Sequence, residues 1–254
     1  MGGFFNTFFY EPILNLLVFI YNTLPGSDIG WSIVILTIVI KLILYPLSKK
    51  SIESQKALQD LQPKIEEIKR KYKDDKEAMS KAMMDLYKTE KVNPLSSCLP
   101  LLIQLPFFWA IFRVFNDELS GKTLDMIYPF IVNPGTMNPI AFGFVDFSET
   151  NIVLAILAGA SQYFQIKMMP NKPAAIKSEG AKDENMMAMM NKQMLYIMPV
   201  LTVVICMTLP SGLAFYWFVS TILTLAQQWY IFRNNPKNKE NSGQGQVIEG
   251  EIIK

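Results

Sequence analysis

Residues 31–47 read WSIVILTIVIKLILYPL, an apolar run close to the length of about 20 residues that crosses a lipid bilayer. One charge, Lys41, interrupts the run. A lysine inside a membrane span costs roughly 2.5–3.5 kcal/mol on insertion scales, so Lys41 is a candidate functional residue. Its side chain can instead extend toward the lipid headgroups, because the run ends about 9 Å of helix rise further on, at Leu47. The stretch alone leaves both interpretations open.

Half of the 254 residues are hydrophobic, and the charged residues gather between long apolar runs. This distribution predicts an all-α polytopic membrane protein with one sizeable soluble insertion. The sequence has no histidine, which removes the commonest general base and the commonest metal ligand. The two cysteines, Cys98 and Cys206, stand far apart in apolar runs, so we expect neither a disulfide framework nor a metal site. We therefore predict no cofactor and no enzymatic centre.

The N-terminal segment, residues 1–28, is apolar but interrupted by polar side chains. Its apolar residues recur at helical spacing, with Asn15 and Asn22 on another side. This pattern is typical of an amphipathic helix that lies in the membrane interface. A transmembrane helix over residues 4–24 is the alternative. The segment lacks the basic region of a signal peptide and a cysteine for lipid attachment.

The first predicted transmembrane helix, residues 29–47, is followed by a segment of different character, residues 48–93. Twelve lysines and arginines fall in this segment beside many acidic residues. Apolar residues recur at steps of three and four on both sides of a break at residues 73–75, which predicts a hairpin of two amphipathic helices outside the membrane. Pro63 either starts a helical turn or kinks the first helix. The charges of the hairpin either serve binding or only keep it solvated.

Four further spans follow, and the second and third spans of the chain contain glutamines. Gln104 lies in the second span, and Gln162 and Gln165 lie in the third. A glutamine in a span commonly hydrogen-bonds to another helix, and this packing role competes with a role in substrate contact. The predicted order is a second transmembrane helix at 94–115, a loop at 116–150, a third helix at 151–169, a connector at 170–192, a hairpin of the fourth and fifth helices at 193–230 and a disordered tail at 231–254.

The basic residues alternate between the loops and so predict the orientation. Besides the twelve in the hairpin, the connector holds four and the chain after Tyr230 holds four, whereas the loop at residues 116–150 holds one and the turn at 209–212 none. The positive-inside rule places the hairpin, the connector and the tail in the cytoplasm and the N-terminus outside. The 116–150 loop is then extracytoplasmic, and its apolar patches indicate that it lies at the membrane interface.

Six stretches share an order and spacing that are specific: ILTIVIKLILYPL, LQPKIEEIKRKYKDDKEAMSKAMMDLYK, KVNPLSSCLPLLIQLPFFWAIFRVF, YFQIKMM, QMLYIMPV and LPSGLAFYWFVS. Together they resemble the YidC/Oxa/Alb family of membrane protein insertases, over residues 4–232. The resemblance implies five transmembrane helices that form an amphiphilic groove, open to the cytoplasm and the lipid and closed on the outer side. It also implies a minimal bacterial member in the plasma or inner membrane, without a large outer domain, that helps nascent proteins enter the bilayer.

The resemblance also assigns residues to the groove. The family has a basic residue in the first span, a glutamine in the third and a tryptophan in the fifth, which match Lys41, then Gln165 or less well Gln162, and Trp217. The family residue at the first position is usually arginine, and lysine keeps the charge but lacks the bidentate fork. The implied partners are nascent membrane proteins and membrane lipids, with the Sec translocon and the ribosome as candidate further partners and no nucleic-acid recognition.

These residues suggest a mechanism in which Lys41 attracts acidic side chains of an incoming hydrophilic tail. Gln104, Ser220, Thr221 and Thr224 would keep the groove hydrated. A polytopic transporter or channel is the alternative function, although we find no inverted repeat and no acidic pair in a span. A membrane-embedded enzyme would need a nucleophile beside a base, and the spans offer no such combination.

Overall fold

The computed structural model describes residues 2–73, 75–93, 99–118, 126–168 and 195–234. This part of the chain is mostly helical, which agrees with the predicted all-α class, and it adds one short β-hairpin. Cys98, the predicted connector at residues 170–192 and the chain from residue 235 onward lie outside the described residues.

An apolar helix begins the chain and is built from α1 (Gly2–Phe5), a π-helical turn (Asn6–Tyr10) and α2 (Glu11–Thr23). The helix ends because Leu24 takes an extended backbone conformation. Gly26, with a φ of 78°, then turns the chain toward the next helix, a conformation that glycine adopts without steric cost.

The helix that carries the lysine, α3 (Ile29–Ile43), is shorter than the predicted span. The carboxylate of Asp28 caps its first turn by accepting a backbone N–H at 3.0 Å. The helix ends before the predicted residue 47, and α4 (Tyr45–Asp60) leaves it at an angle of 70°. Pro46 explains the bend, since proline has no N–H to continue the bonding of the preceding turns.

Three helices, rather than two, occupy residues 48–93. After α4 comes α5 (Gln62–Lys71), with Pro63 in its first turn, so this proline starts a helix. The chain then breaks near the predicted position, and α6 (Lys76–Thr89) begins after Asp75, whose side chain caps it. Every described side chain of α6 is at least partly exposed, so its apolar stripe lies largely open.

The remaining helices are α7 (Leu99–Glu118), α8 (Ile152–Met168), α9 (Leu195–Cys206) and α10 (Ser211–Asn234). Helices α8 and α9 approach closely because Gly159 has no side chain. A Cβ added there would lie 2.9 Å from the carbonyl oxygen of Pro199, which belongs to the α9 backbone. The last helix also continues past residue 230, the predicted end of the fifth span.

The main core joins the N-terminal helix, α3, α7, α10 and the described part of the predicted 116–150 loop. These elements pack large apolar side chains closely against one another. The largest such side chains are Tyr10, Leu14, Leu17, Ile33, Leu36, Ile111, Val114, Phe147, Leu213 and Tyr216.

The described part of the predicted 116–150 loop contains a short antiparallel hairpin, β1 (Ile140–Ala141) paired with β2 (Val145–Asp146). Phe142 sits in its turn with a φ of 55°, which is uncommon for a bulky residue. The surroundings hold it there, because its ring fills the space beside Gly30, where an added Cβ would lie 2.5 Å from the ring. The hairpin is therefore fitted tightly to the first turn of α3.

Asp146 forms part of the junction between this loop and α10. Its carboxylate accepts two hydrogen bonds from Ser148, one from the hydroxyl at 2.5 Å and one from the backbone N–H at 2.8 Å. These bonds hold the pKa of Asp146 below its usual range. The hydroxyl of Ser211 donates to the Asp146 carbonyl at 2.9 Å, so this turn also positions the start of α10.

Asn15 lies on a buried side of α2, although its spacing predicted a polar side. Its exposed fraction is 2%. Its amide nitrogen donates to the Met126 carbonyl at 3.0 Å, and its amide oxygen accepts the Tyr128 N–H at 2.7 Å. Two turns further on, Asn22 donates to the Val132 carbonyl at 2.6 Å. The two asparagines therefore hold the backbone of the loop at residues 126–132.

Replacing Asn15 with leucine is expected to loosen that loop. Leucine keeps the approximate volume but leaves two backbone groups unpaired, each costing about 1–3 kcal/mol when buried. Since 1.4 kcal/mol is a factor of ten, amide hydrogen exchange over residues 126–132 should accelerate about tenfold or more, with α8 unchanged. The exposed Asn22→Leu is the control and should have a smaller effect. Unchanged exchange in Asn15→Leu would contradict the anchoring role.

Length and hydropathy identify one helix among the described residues that is able to cross a bilayer alone, Gly3–Thr23. The bent pair Ile29–Ile43 and Tyr45–Asp60 passes the same criterion when taken together. The other apolar helices are shorter, over Leu102–Asn116, Ile152–Met168 and Leu195–Cys206. By this criterion the part of the chain that the structure describes contains one span, or two if the bent pair crosses as one.

Candidate functional site

Lys41 lies at the meeting point of three helices. Its ammonium group donates to the Thr224 hydroxyl on α10 at 2.9 Å. A longer hydrogen bond, of 3.5 Å, reaches the amide oxygen of Gln104 on α7. The lysine side chain is half-buried, so it is directed into the bundle and does not extend freely along α3. The structure thus brings together three residues that the sequence analysis selected from three separate spans.

Two more side chains of α10 complete this polar network. The amide nitrogen of Gln104 donates to the hydroxyl of Tyr216, which is 1% exposed. Ser220 hydrogen-bonds the same hydroxyl through its side chain, and its carbonyl accepts the hydroxyl of Thr224 at 2.8 Å. The network therefore runs from Lys41 along one face of α10.

Tyr216 is the site residue that sequence reasoning missed. A tyrosine inside an aromatic stretch is common, and the sequence gives no sign that its hydroxyl is buried and hydrogen-bonded. The signal was its spacing: Tyr216, Ser220, Thr224 and Gln228 stand four residues apart and share one helix face. Gln228 extends this stripe toward the end of α10, and its amide oxygen is buried with no hydrogen-bond partner among the described residues.

The electrostatic feature of the site is a cation with no acidic partner among the described residues. The ion pairs of Lys49 with Glu53 and of Lys64 with Glu90 both lie outside the bundle. Lys41 is accordingly solvated by a hydroxyl and an amide oxygen, which are neutral acceptors. A carboxylate brought to this point would find an unneutralised positive charge in a partly desolvated place, where charge-assisted hydrogen bonds are strong.

The other predicted groove residues lie apart from this network. Trp217 packs edge-on against Phe108 with ring centres 5.1 Å apart, on a neighbouring face of α10. Gln162 accepts the hydroxyl of Thr202 and so ties α8 to α9, which is the packing role that the sequence analysis kept open. Gln165 is half-buried one turn further along α8.

Thr221 does not contribute its hydroxyl to the Lys41 network. The hydroxyl donates to the carbonyl of Trp217 in its own helix, at 2.8 Å. Within the described ranges no three histidine, cysteine, aspartate or glutamate side chains gather as metal ligands would. The side chains of the Lys41 network offer a positive charge and hydrogen-bonding groups.

Comparison with known proteins shows the family to which the chain belongs. The family model described as 60Kd inner membrane protein matches residues 19–239. The membrane protein insertase YidC of Streptomyces avermitilis is 33% identical over 242 residues, which cover 85% of this chain and 55% of that protein.

Proteins with the same name show similar agreement in other bacteria. The insertase of Geobacter sulfurreducens is 34% identical over 226 residues, covering 88% of this chain and 37% of the relative. The insertase of Geotalea daltonii is 35% identical over 230 residues, covering 89% of this chain and 37% of the relative. The chain thus spans about a third to a half of the length of these relatives. On the extent of the match, the chain belongs to the 60Kd inner membrane protein family, which is the YidC/Oxa family of membrane proteins.

Proposed function

We propose that the protein is a membrane protein insertase that draws the hydrophilic tails of nascent membrane proteins into a hydrated groove. The observation that carries the proposal is Lys41, a cation held between three helices with neutral partners and without an acid among the described residues. Its relatives bear the name membrane protein insertase. The action that we propose for this protein is binding and release of a client, without a chemical step.

The proposed topology has five spans, formed by α3, α7, α8, α9 and α10, with the N-terminus outside and the C-terminus in the cytoplasm. The alternation of basic residues between the loops supports this orientation. Several of these helices are short, at 15 residues for α3 and 17 for α8. Short spans thin the surrounding bilayer, which shortens the path of a polar tail.

The proposed topology places the N-terminal helix in the outer interface, as its pattern predicted. Its contacts support this position over a sixth span. Phe9 meets Phe107 near the middle of α7, and Asn6 accepts a hydrogen bond from Arg113 in its second half. Asn15 bonds the outer loop directly. A helix that crossed the membrane beside α7 would be expected to run along the whole length of α7.

Lys41 contributes to the mechanism by attracting carboxylates. At 4 Å and an effective dielectric constant of about 20, two opposite charges attract by about 4 kcal/mol before desolvation. That gain is comparable with the cost of placing a carboxylate within the bilayer, about 2.5–3.5 kcal/mol. Water in the groove would also satisfy the buried amide oxygen of Gln228. Binding stays transient because Thr224 and Gln104 compete for the lysine.

Tyr216 has a positioning role in this mechanism, since its hydroxyl accepts a hydrogen bond from Gln104, and Gln104 in turn accepts one from Lys41. Tyr216→Phe removes the hydroxyl to which Gln104 donates. Because hydrogen bonds between membrane helices average about 0.6 kcal/mol, the fold should survive while insertion of a client falls about two- to threefold. Tyr230→Phe, at an exposed position of the same helix, should leave insertion unchanged. Equal activity of both variants would contradict the positioning role.

Partners follow from the same topology. The nascent membrane protein is the substrate, and lipids surround the groove. The cytoplasmic helices α4, α5 and α6 carry ten of the 24 basic residues and offer a surface to the ribosome. The Sec translocon is a candidate neighbour in the bilayer.

The test of the proposed function is insertion of a client into liposomes that contain the purified protein. The client is a single-span protein with an acidic outer tail, and insertion is measured by protection of the tail from protease. We expect clear protection over protein-free liposomes. Equal protection in both would contradict an autonomous insertase, and leakage of a trapped solute without client protection would favour the transporter or channel.

A further inference from the structure

The outer loop between residues 126 and 145 presents large apolar side chains away from the bundle. Phe130 and Phe144 are each 81% exposed, and Val132 is 77% exposed; these three residues are named the outer rim. The stretch reads MIYPFIVNPGTMNPIAFGFV and contains no charged residue. Exposed apolar surface of this size commonly marks an interaction site.

We infer that the outer rim inserts into the outer leaflet of the bilayer, with lipid acyl chains below the headgroups as its partner. The inference rests on the proposed topology, in which this loop lies on the outer side of the membrane. It goes beyond the insertase function, because it assigns a fixed membrane contact to a segment remote from Lys41.

The backbone of the loop supplies the first argument. Irregular backbone tolerates lipid only where its polar groups are bonded within the protein, since hydrocarbon offers no partner. Here the Tyr21 hydroxyl accepts the N–H of Asn138 at 2.9 Å, and the Asp28 carboxylate accepts the N–H of Phe142 at 2.5 Å. Side chains outside the loop that bond its backbone include Asn15, Tyr21, Asn22 and Asp28. A loop in water can leave such groups to solvent, so this anchoring favours lipid.

The depth of the loop supplies the second argument. Trp31, in the first turn of α3, is 55% exposed and packs edge-on against Phe142 with ring centres 5.6 Å apart. Tryptophan is enriched at the level of the headgroups, where its apolar body and N–H both find suitable surroundings. The hairpin that carries Phe144 is therefore anchored at that level, and its exposed rings face an apolar phase. A soluble protein partner would have to compete with the bilayer for this surface.

The experiment places a nitroxide spin label on the full chain in phosphatidylcholine liposomes. Phe130→Cys and Phe144→Cys are labelled separately, in a background with Cys98→Ser and Cys206→Ala. The matched control is Glu149→Cys, an exposed charged position at the end of the same loop. Collisions of the label with oxygen, which concentrates in lipid, are compared with collisions with a water-soluble nickel chelate. Each variant is first checked for folding by gel filtration and thermal unfolding.

We expect the ratio of oxygen to nickel collisions to be several-fold higher at positions 130 and 144 than at position 149. Nickel accessibility at both rim positions equal to that at position 149 would overturn the inference and would indicate that the rim awaits a protein partner in water. No client is present in this measurement, so a failure of the proposed insertase function in the protease-protection assay would leave its result unaffected.

Discussion

Replacing Lys41 with glutamate is expected to abolish insertion of a client that carries an acidic tail. The substitution converts an attraction of about 4 kcal/mol, at 4 Å and an effective dielectric constant of about 20, into a repulsion of similar size. Even half of that attraction corresponds to roughly 30-fold in rate, so the loss should exceed tenfold. Lys41→Arg should retain most activity because it keeps the charge, whereas Lys41→Ala should lose most of it. Protease protection of the client tail in liposomes measures the effect.

The matched control for charge is Lys49→Glu. Lys49 is exposed on α4, and its ammonium lies 4.0 Å from the carboxylate of Glu53. Lys49→Glu therefore changes the net charge by the same amount as Lys41→Glu, but outside the bundle. Surface ion pairs contribute about 0–1 kcal/mol to stability. Loss of the Lys49–Glu53 pair should therefore affect neither folding nor insertion appreciably. If all Lys41 variants fold and insert the client equally well, the lysine is only a headgroup anchor, and membrane thinning must drive insertion.

Enlarging Gly159 to leucine is expected to separate α8 from α9 and to destabilise the protein strongly. An added Cβ alone would lie 2.9 Å from the Pro199 carbonyl oxygen, a backbone atom that cannot rotate away. Overpacking of a well-packed core costs about 1–3 kcal/mol, and here the helix backbone itself must shift. The hydrogen bond between Gln162 and Thr202, further along the same pair of helices, should be lost with it. Thermal unfolding in detergent should show a clearly lower Tm.

The control is Ala160→Leu, at the next residue of the same helix. Ala160 is exposed on the outside of the bundle, where a larger apolar side chain meets lipid or detergent. This variant should keep the wild-type Tm and the wild-type insertion activity. An equal fall of Tm in both variants would show that the close approach of α8 and α9 at Gly159 is not what limits stability.

Much of the site could be predicted from the sequence because polar residues are costly inside apolar runs. Lys41, Gln104 and Thr224 each stood out for that reason, and the structure brings the three together. Tyr216 could not be selected in the same way, since a tyrosine in an aromatic stretch costs little until its hydroxyl is buried. Its four-residue spacing to Ser220 was visible but carries no meaning until the partner helices are known.

The misassignment of Asn15 has a physical cause, which is that periodicity reports polarity and not the partner of a polar group. Asn15 interrupts an apolar face and was assigned to the polar side of an interfacial helix. It is instead buried and bonds a loop segment more than a hundred residues away. The conformation of Phe142 depends likewise on Gly30, a distant residue whose missing side chain no local pattern reveals.

Two helix boundaries that the sequence left wrong or open lie at prolines. Pro46 was taken to end a span at residue 47, but its effect on the preceding turn ends α3 at Ile43. Pro63 left two interpretations open, and the structure shows the one in which it starts a helix. Proline fixes its own φ, but packing decides whether a helix ends before the proline or begins at it.

The measurement that tests the central claim most directly is an exchange of charge between the protein and its client. Wild type and Lys41→Glu are each placed in liposomes without a membrane potential, with one client whose tail is acidic and a second whose tail carries lysines at the same positions. Our account predicts that the preference inverts: wild type inserts the acidic tail better, and Lys41→Glu inserts the basic tail better. The same client preference in both proteins would contradict the claim that the charge of residue 41 selects the tail.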